Sequence, residues 1–292
     1  MKFIDASTII KIKSFKNKNF PLQYAGVLEG GHLSNTSSAQ SQEFTEYAQY
    51  VPGNDTKFID WKVYAKKEKL FIKRYLQEKA LKYNFIIDAS GSMAFKGEVS
   101  SYSKWEYSAR LFMAFACHTL IKHDPSSLFC FSELNDKKTD FSNHLNQLIL
   151  FDNFLSNIKP QGISLPSAKL KDYLRRLDNN SAIIFFSDLM LDYPQLDEVI
   201  RLITGKKIKI IIFHIIDAQE KELPWRGQVN IEDMETGKKM PFSVESLRLE
   251  YRKEFDKWLR YCEKSFSAKK IPYFRGYSDM PLEKAIEKYI LS

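Results

Sequence analysis

The sequence predicts an α/β protein in which a central, mostly parallel sheet is covered by helices on both faces. One observation is that short, near-continuous apolar runs alternate with longer segments of helical periodicity from residue 82 onward. The other is an ordinary globular composition. Of the 292 residues, 44% are hydrophobic and 27% are charged, while only 11 are Gly and 10 are Pro. A chain of this length and composition can bury a large core.

Residues 1–80 precede this alternation and are expected to form a β-rich N-terminal extension packed on a core domain of residues 81–292. Within the extension, Pro52-Gly53-Asn54-Asp55 indicates a turn, because these residue types favour turn conformations. Residues 59–64 fit the start of either a short helix or a strand, and residues 70–75 are rich in strand formers.

In the core domain, apolar runs predict strands and longer periodic segments predict helices. The strands are expected at residues 83–87, 127–131, 181–186, 208–216 and 271–274. The helices are expected at residues 107–122, 145–158, 165–177, 196–203, 246–264 and 281–290. Residues 223–244 interrupt the alternation. Two short strand-like segments there flank Glu235-Thr236-Gly237, which predicts a β-hairpin insert.

The net charge of +8 could indicate an acidic partner such as nucleic acid or an anionic membrane surface. However, the Lys and Arg residues are spread along the chain, and the densest basic stretches, residues 62–74 and 206–209, are interleaved with apolar residues. Such stretches are typical of the faces of helices or strands rather than of basic arms. We therefore expect no nucleic-acid partner.

Cysteine usage and hydropathy indicate a cytoplasmic protein without a membrane span. Cys117, Cys130 and Cys262 are far apart and form no Cys-x-x-Cys pair, which fits a reducing compartment. Residues 1–20 lack the continuous apolar core of a signal peptide. The most apolar stretch, residues 208–216, is too short to cross a bilayer as a helix.

Polar side chains occur in three predicted loops, of which the first and third directly follow strands and the second lies just before a helix. The first is Asp88-Ala89-Ser90-Gly91-Ser92, the second is Gly162-Ile163-Ser164, and the third is Ser187-Asp188. Ligands of open α/β sheets bind at the carboxyl ends of strands where the strand order reverses, so these loops are expected to converge. Carboxylate and hydroxyl oxygens suit Mg²⁺ or Mn²⁺ better than Zn²⁺. The alternative is that Ser90 or Ser92 only caps a helix.

The pattern of these loops resembles the metal ion-dependent adhesion site of von Willebrand factor A-like domains, which have a Rossmann-like fold. The resemblance implies that Asp88, Ser90 and Ser92 bind the metal from the first loop and Asp188 from the third. Ser164 stands where that family usually has Thr, and Gly162-Ile163-Ser164 replaces its Gly-Gly-Thr. The implied cofactor is Mg²⁺ or Mn²⁺, held weakly until a carboxylate of a protein partner completes its coordination.

A second resemblance, to the family of the domain of unknown function 58, covers essentially the whole chain. Its hallmark residues here are Glu43, Phe44, Pro52, Gly53, Asp55, Asp60, Trp61 and Lys62. They are interpreted either as a clamp that folds the N-terminal segment onto the sheet, with Trp61 as an anchor and Asp60 paired with Lys62, or as a surface for partner docking. Ala48 and Lys57 stand where the family usually has Arg, and Asn54 where it usually has Asp.

In bacteria, that family is typically encoded beside MoxR-type AAA+ ATPases. The resemblance therefore implies a protein-interaction module that works with such an ATPase, or with its client, in the assembly or maturation of protein complexes. A metal-dependent phosphoester hydrolase is the enzymatic alternative, although such enzymes usually surround their metals with more carboxylates. No Gly-x-Ser-x-Gly motif or Walker-type phosphate loop occurs, and no histidine has a context that marks it as a catalytic base.

Overall fold

The computed structural model describes residues 1–14, 43–52, 56, 59–76, 81–164, 168–178, 181–204, 208–223, 225, 227–232 and 239–291. The chain divides into two compact units. Gly26–Ala80 forms the smaller unit, and Met1–Ala25 together with Leu81–Ser292 forms the larger one. The expectation that residues 1–80 pack on the core domain as one extension stays a prediction.

Ten strands are present in the described part of the chain. They are β1 (Glu43–Gln49), β2 (Phe71–Leu76), β3 (Lys82–Asp88), β4 (Ser126–Phe131), β5 (Asp136–Lys138), β6 (Ser181–Ser187), β7 (Lys209–Ile216), β8 (Gln228–Glu232), β9 (Lys239–Ser243) and β10 (Tyr273–Tyr277). The α-helices of the same residues are α1 (Ala6–Ser14), α2 (Trp61–Lys67), α3 (Lys104–Ile121), α4 (Gln147–Ser156), α5 (Ala168–Arg175), α6 (Tyr193–Thr204), α7 (Ala218–Glu222), α8 (Val244–Ala268) and α9 (Leu282–Ile286).

The larger unit is built around a six-stranded sheet with the order β10-β7-β6-β3-β4-β5. All neighbouring strands are parallel except β4 and β5, which are antiparallel. The chain first runs from β3 through β4 to β5 and then returns to place β6 on the other side of β3. This is the doubly wound, Rossmann-like order, and its switch point lies between β3 and β6. The predicted α/β class with a mostly parallel sheet is confirmed.

Helices cover both faces of this sheet, as predicted. On one face, α1, α4 and α9 pack around α3, whose residues are all buried except Glu106 and Arg110. On the other face, α5 and α8 pack against α6. Successive residues of a strand point to opposite faces, so Phe85 belongs to the first core and Ile86 to the second. The near-continuous apolar strands of the sequence follow from this double coverage.

The smaller unit contains an antiparallel pair, β1 and β2, and helix α2. The strand predicted at residues 70–75 is confirmed as β2, and the open alternative at residues 59–64 is settled as a helix. Asp60 begins α2 by accepting hydrogen bonds from the backbone N–H groups of Lys62 and Val63 at 2.9 and 3.2 Å. In the larger unit, β8 pairs with β9 antiparallel, as the hairpin prediction required.

Several elements differ from the predictions. Helix α3 begins three residues earlier than expected, because Ser103 and Glu106 form a reciprocal capping box at its start. The elements α1, β1, β5 and α7 were not predicted. β5 has only three residues, all exposed, so it carries no apolar periodicity. Within the described ranges, no helix is both long and apolar enough to cross a bilayer.

Candidate functional site

The three polar loops meet at the switch point of the sheet. Asp88 is the last residue of β3, and Asp188 directly follows β6, the strand beside it. The loop that carries Ser164 is joined to the first loop by two backbone hydrogen bonds, from Gly91 N to Gly162 O at 2.8 Å and from Gln161 N to Ala89 O at 2.9 Å. The structure therefore brings the five predicted ligands to one edge of the sheet.

Asp88 is the centre of this cluster and is fully buried. Its Oδ2 accepts hydrogen bonds from the Ser164 hydroxyl at 2.5 Å and from the Ser187 hydroxyl at 2.8 Å. Its Oδ1 accepts a hydrogen bond from the backbone N–H of Ser90 at 2.9 Å. The hydroxyl oxygens of Ser90 and Ser92 are 3.1 Å apart. Ser187 is an additional member of the cluster, to which the sequence assigned no role.

The separations of these oxygens can be compared with those around a small divalent cation. Six oxygens about 2.1 Å from Mg²⁺ lie about 3 Å apart along the edges of an octahedron. The Ser90–Ser92 separation of 3.1 Å is close to that edge, whereas the Ser164–Asp88 separation of 2.5 Å is shorter and is that of a hydrogen bond. Among the described residues, no group of three or more His, Cys, Asp or Glu side chains could hold a metal ion. A metal bound here would therefore depend on hydroxyl oxygens.

Gly162 adopts a left-handed backbone conformation, with φ of +77°. A Cβ atom at this position would lie 3.0 Å from Leu134 Cγ and 3.3 Å from Glu133 Cβ. Glycine avoids both the conformational strain and the clash, so the second loop can approach the first closely. The second loop lies close to the first although Ile163 stands where the Gly-Gly-Thr pattern that this loop resembles has its second glycine.

The principal feature that the sequence did not reveal is Lys104. It is the first residue of α3 and is fully buried. Its ammonium group donates a hydrogen bond to Asp188 Oδ2 at 2.7 Å and a second one to Glu220 Oε1. The only sequence signal was the capping box of Ser103 and Glu106, which places Lys104 at the start of a helix.

The charges of the cluster shift one another's pKa values. Burial, and next the charge of Asp188, raise the pKa of Asp88 to about 6. Burial alone would raise the pKa of Asp188, but the charge of Lys104 and hydrogen bonds from Lys104 and Ser92 outweigh it and lower the pKa. For Lys104, burial is outweighed by Asp188 and Glu220, which raise its pKa. Asp188 and Lys104 thus form a buried ion pair.

A further buried carboxylate, Asp217, fixes the segment between Ser92 and α3. Its Oδ2 accepts hydrogen bonds from Gly97 N at 3.1 Å, from the Ser100 hydroxyl at 2.7 Å and from the Ser278 hydroxyl at 2.6 Å. Its Oδ1 accepts a hydrogen bond from Gln219 N at 3.0 Å. Asp217 therefore ties the first loop to the ends of β7 and β10.

His214 is the histidine nearest to this site along the sheet, on β7. Burial lowers its pKa to about 4, and its Nδ1 lies 2.6 Å from the Tyr273 hydroxyl. His214 is therefore a neutral, hydrogen-bonded side chain packed within the sheet. His118 is buried inside α3.

The hallmark residues of the N-terminal region lie in the smaller unit. Asp60 caps α2 and also accepts a hydrogen bond from the Tyr47 hydroxyl at 3.1 Å. Trp61 is 64% exposed and meets Tyr64 edge to face, with ring centroids 6.1 Å apart. Pro52 lies in a turn. Gly53 and Asp55 lie outside the described residues, as do the side chains of Glu43 and Phe44. Whether the hallmark residues clamp the N-terminal segment onto the sheet or dock a partner stays a prediction.

Comparisons with known proteins give one family match. The model of the family described as protein of unknown function DUF58 matches residues 46–260. No curated protein sequence matches the chain.

Solved structures with some likeness to the chain include BatB from Bacteroides thetaiotaomicron, at 15% identity and a TM-score of 0.44, covering 72% of this chain and 97% of that one. An aerotolerance-related membrane protein from Bacteroides fragilis has 16% identity and a TM-score of 0.44, covering 72% and 98%. The SpRpn10 VWA domain has 11% identity and a TM-score of 0.41, covering 73% and 97%.

Proposed function

The chain belongs to the DUF58 family, and we propose that it is a non-enzymatic protein-interaction module that binds its partner through a divalent metal ion. The ion, Mg²⁺ or Mn²⁺, would be held by Asp88, Ser90, Ser92, Ser164 and Asp188. The observation that carries the proposal is the convergence of these five residues at the switch point of a Rossmann-like sheet, where the Ser164 hydroxyl contacts the Asp88 carboxylate and the hydroxyls of Ser90 and Ser92 contact each other.

The chemistry of the donors supports binding rather than catalysis. Three of the five ligands are neutral hydroxyls, so a bound cation would keep much of its charge and would attract a carboxylate from outside. A partner Asp or Glu side chain supplies such a carboxylate. Phosphoester hydrolysis usually needs more carboxylates around one or two metal ions than this donor set offers.

Exposed apolar side chains on the surrounding loops also support a protein partner. Val99 in the segment between Ser92 and α3, Leu134 on the loop after β4 and Met190 on the loop after β6 are all more than half exposed. Parallel strands place these loops on the same edge of the sheet as the metal ligands. Large apolar side chains beside a polar centre are typical of surfaces that bury themselves against another protein.

The partner that we propose is a MoxR-type AAA+ ATPase or its client protein, in a system that assembles or matures other complexes. The experiment is to measure binding of the full chain to the MoxR-type ATPase from the same genome, with Mg²⁺ and with EDTA. We expect EDTA and the variant Asp88→Ala each to weaken binding by at least about tenfold, roughly 1.4 kcal/mol.

The matched control is Asp172→Asn, which changes an exposed carboxylate on α5. It should bind like the wild type. Equal binding by wild type and Asp88→Ala would disprove the metal-mediated contact. Turnover of phosphoesters that needs Mn²⁺ and is lost in Asp188→Ala would instead establish a hydrolase.

A further inference from the structure

Lys104 stands in a position that is unfavourable for a lysine. Its side chain is fully buried, which removes the ammonium group from water. It is also the first residue of α3, where the helix dipole places partial positive charge. Two carboxylates offset both effects, Asp188 at 2.7 Å and Glu220. An apolar residue at this position would begin the helix without a buried charge and without repulsion from the helix dipole. Folding alone therefore does not explain why the residue is a lysine.

The two carboxylates differ in their other contacts. Glu220 is held by its second oxygen, Oε2, which accepts a hydrogen bond from Asp217 N at 2.8 Å in the capping box of α7. Asp188 instead faces the candidate metal ligands, since Ser92 donates a hydrogen bond to it. Its Oδ2 accepts a hydrogen bond from Lys104 at 2.7 Å, and its Oδ1 accepts a long hydrogen bond from Met190 N at 3.3 Å. Of the two carboxylates that accept hydrogen bonds from Lys104, Asp188 is the one that is also a proposed metal ligand.

From this geometry we infer that Lys104 is a resident cation that competes with the divalent metal for Asp188 and keeps the metal affinity of the site low. The inference rests on the proposed function, because it concerns the same metal site. The ammonium group occupies Asp188 Oδ2 and repels a second cation beside it. Glu220 also accepts a hydrogen bond from the ammonium group and so moderates this competition.

The net charge of the cluster also indicates that Lys104 lowers the metal affinity of the site. Asp88, Asp188 and Glu220 carry three negative charges when ionised, and Lys104 carries one positive charge. The two negative charges that remain match one divalent cation. Removal of Lys104 would leave three negative charges and a free Asp188 Oδ2, so the site would bind the metal more tightly. Removal of the Glu220 charge would leave Lys104 on Asp188 alone and would weaken the binding.

The experiment measures Mn²⁺ binding to the full chain by electron paramagnetic resonance of free Mn²⁺, for wild type, Lys104→Met and Glu220→Gln. We expect at least about tenfold tighter binding by Lys104→Met and several-fold weaker binding by Glu220→Gln. Thermal denaturation provides a second measurement. Mn²⁺ should raise the melting temperature of Lys104→Met more than that of the wild type, because a ligand that binds only the folded state stabilises it according to its affinity.

The outcomes separate this inference from the proposed function. Equal or weaker Mn²⁺ binding by Lys104→Met, with measurable binding by the wild type, would overturn the inference and leave the metal site in place. No Mn²⁺ binding by any folded variant would overturn the metal site and the inference together. If Lys104→Met does not fold, the double variant Lys104→Met/Glu220→Gln, compared with Glu220→Gln, must still bind at least about tenfold more tightly.

Discussion

Asp217 offers a quantitative test of how the first loop of the site is held. The substitution Asp217→Ala removes one fully buried carboxylate that accepts four hydrogen bonds, from Gly97, Ser100, Gln219 and Ser278. Each of these donors would lose a charged acceptor. The segment between Ser92 and α3 would then lose the hydrogen bonds through Asp217 that connect it to the ends of β7 and β10.

The size of the effect follows from these contacts. A hydrogen bond to a charged group contributes about 1.5–3 kcal/mol, and a buried donor left without an acceptor costs about 1–3 kcal/mol. The hydroxyls of Ser100 and Ser278 are 3.1 Å apart and can satisfy one another in part. We therefore expect the free energy of unfolding to fall by about 3–5 kcal/mol at pH 7 rather than by the full sum.

The loss should also depend on pH. Burial alone would raise the pKa of Asp217, but its hydrogen bonds outweigh burial and hold the pKa below the usual value for Asp. A carboxyl whose pKa is lowered by folding stabilises the folded state above its unfolded pKa of about 3.9. That stabilisation is lost as the pH falls through the folded pKa. The difference between wild type and Asp217→Ala should therefore shrink below about pH 4.

Urea denaturation followed by circular dichroism measures both effects. The matched control is Asp172→Ala, which removes a carboxylate that is 57% exposed and pairs with Arg175 at the i,i+3 spacing. It should change stability by less than about 0.5 kcal/mol. A loss below about 1 kcal/mol in Asp217→Ala would refute the role of Asp217 as the anchor of this loop.

Three further predictions concern the second loop, the metal and the core. Gly162→Ala should lower the free energy of unfolding by about 2–4 kcal/mol, since it combines left-handed strain with a clash. The control Gly227→Ala has the same strain, but its Cβ meets nothing within 4 Å, so it should cost only about 1–2 kcal/mol. Equal losses in urea denaturation would contradict the close approach of the loop. Mn²⁺ affinity should fall as the pH drops through about 6, because burial and the charge of Asp188 raise the pKa of Asp88 and only its ionised form binds metal. Affinity that is constant from pH 7.5 to pH 5, measured by paramagnetic resonance, would exclude Asp88 as a ligand. Phe213→Ala should lower the free energy of unfolding by about 3–5 kcal/mol, because the side chain is buried. A change below about 1 kcal/mol in the same denaturation assay would contradict its place in the core.

The sequence was sufficient to predict the features of the fold that depend on local residue patterns. Strands β3, β4, β6 and β7 are buried on both faces, so each contains a near-continuous apolar run that can be recognised from the sequence alone. The same runs end at polar residues, which allowed the convergence of Asp88 and Asp188 to be predicted from the rule for strand ends.

Features that depend on contacts between distant segments could not be predicted in this way. Lys104 and Glu220 are 116 positions apart, and nothing in their local sequence indicates that they share an ion pair. Asp217 could be seen to end a strand, but its hydrogen bonds to residues 97, 100 and 278 follow only from the folded sheet. Strand β5 is a short, exposed edge strand, and it is recognised as a strand by its pairing with β4.

The proposed metal site can be tested most directly by anomalous diffraction from crystals of the full chain grown with Mn²⁺. The account predicts a single strong anomalous peak at the carboxyl ends of β3 and β6. The peak should lie about 2.1–2.2 Å from oxygens of Ser90 and Ser92 and beside Asp88, Ser164 and Asp188. The absence of an anomalous peak there at millimolar Mn²⁺ would contradict the account, whereas a peak that disappears in Asp88→Ala crystals would support it.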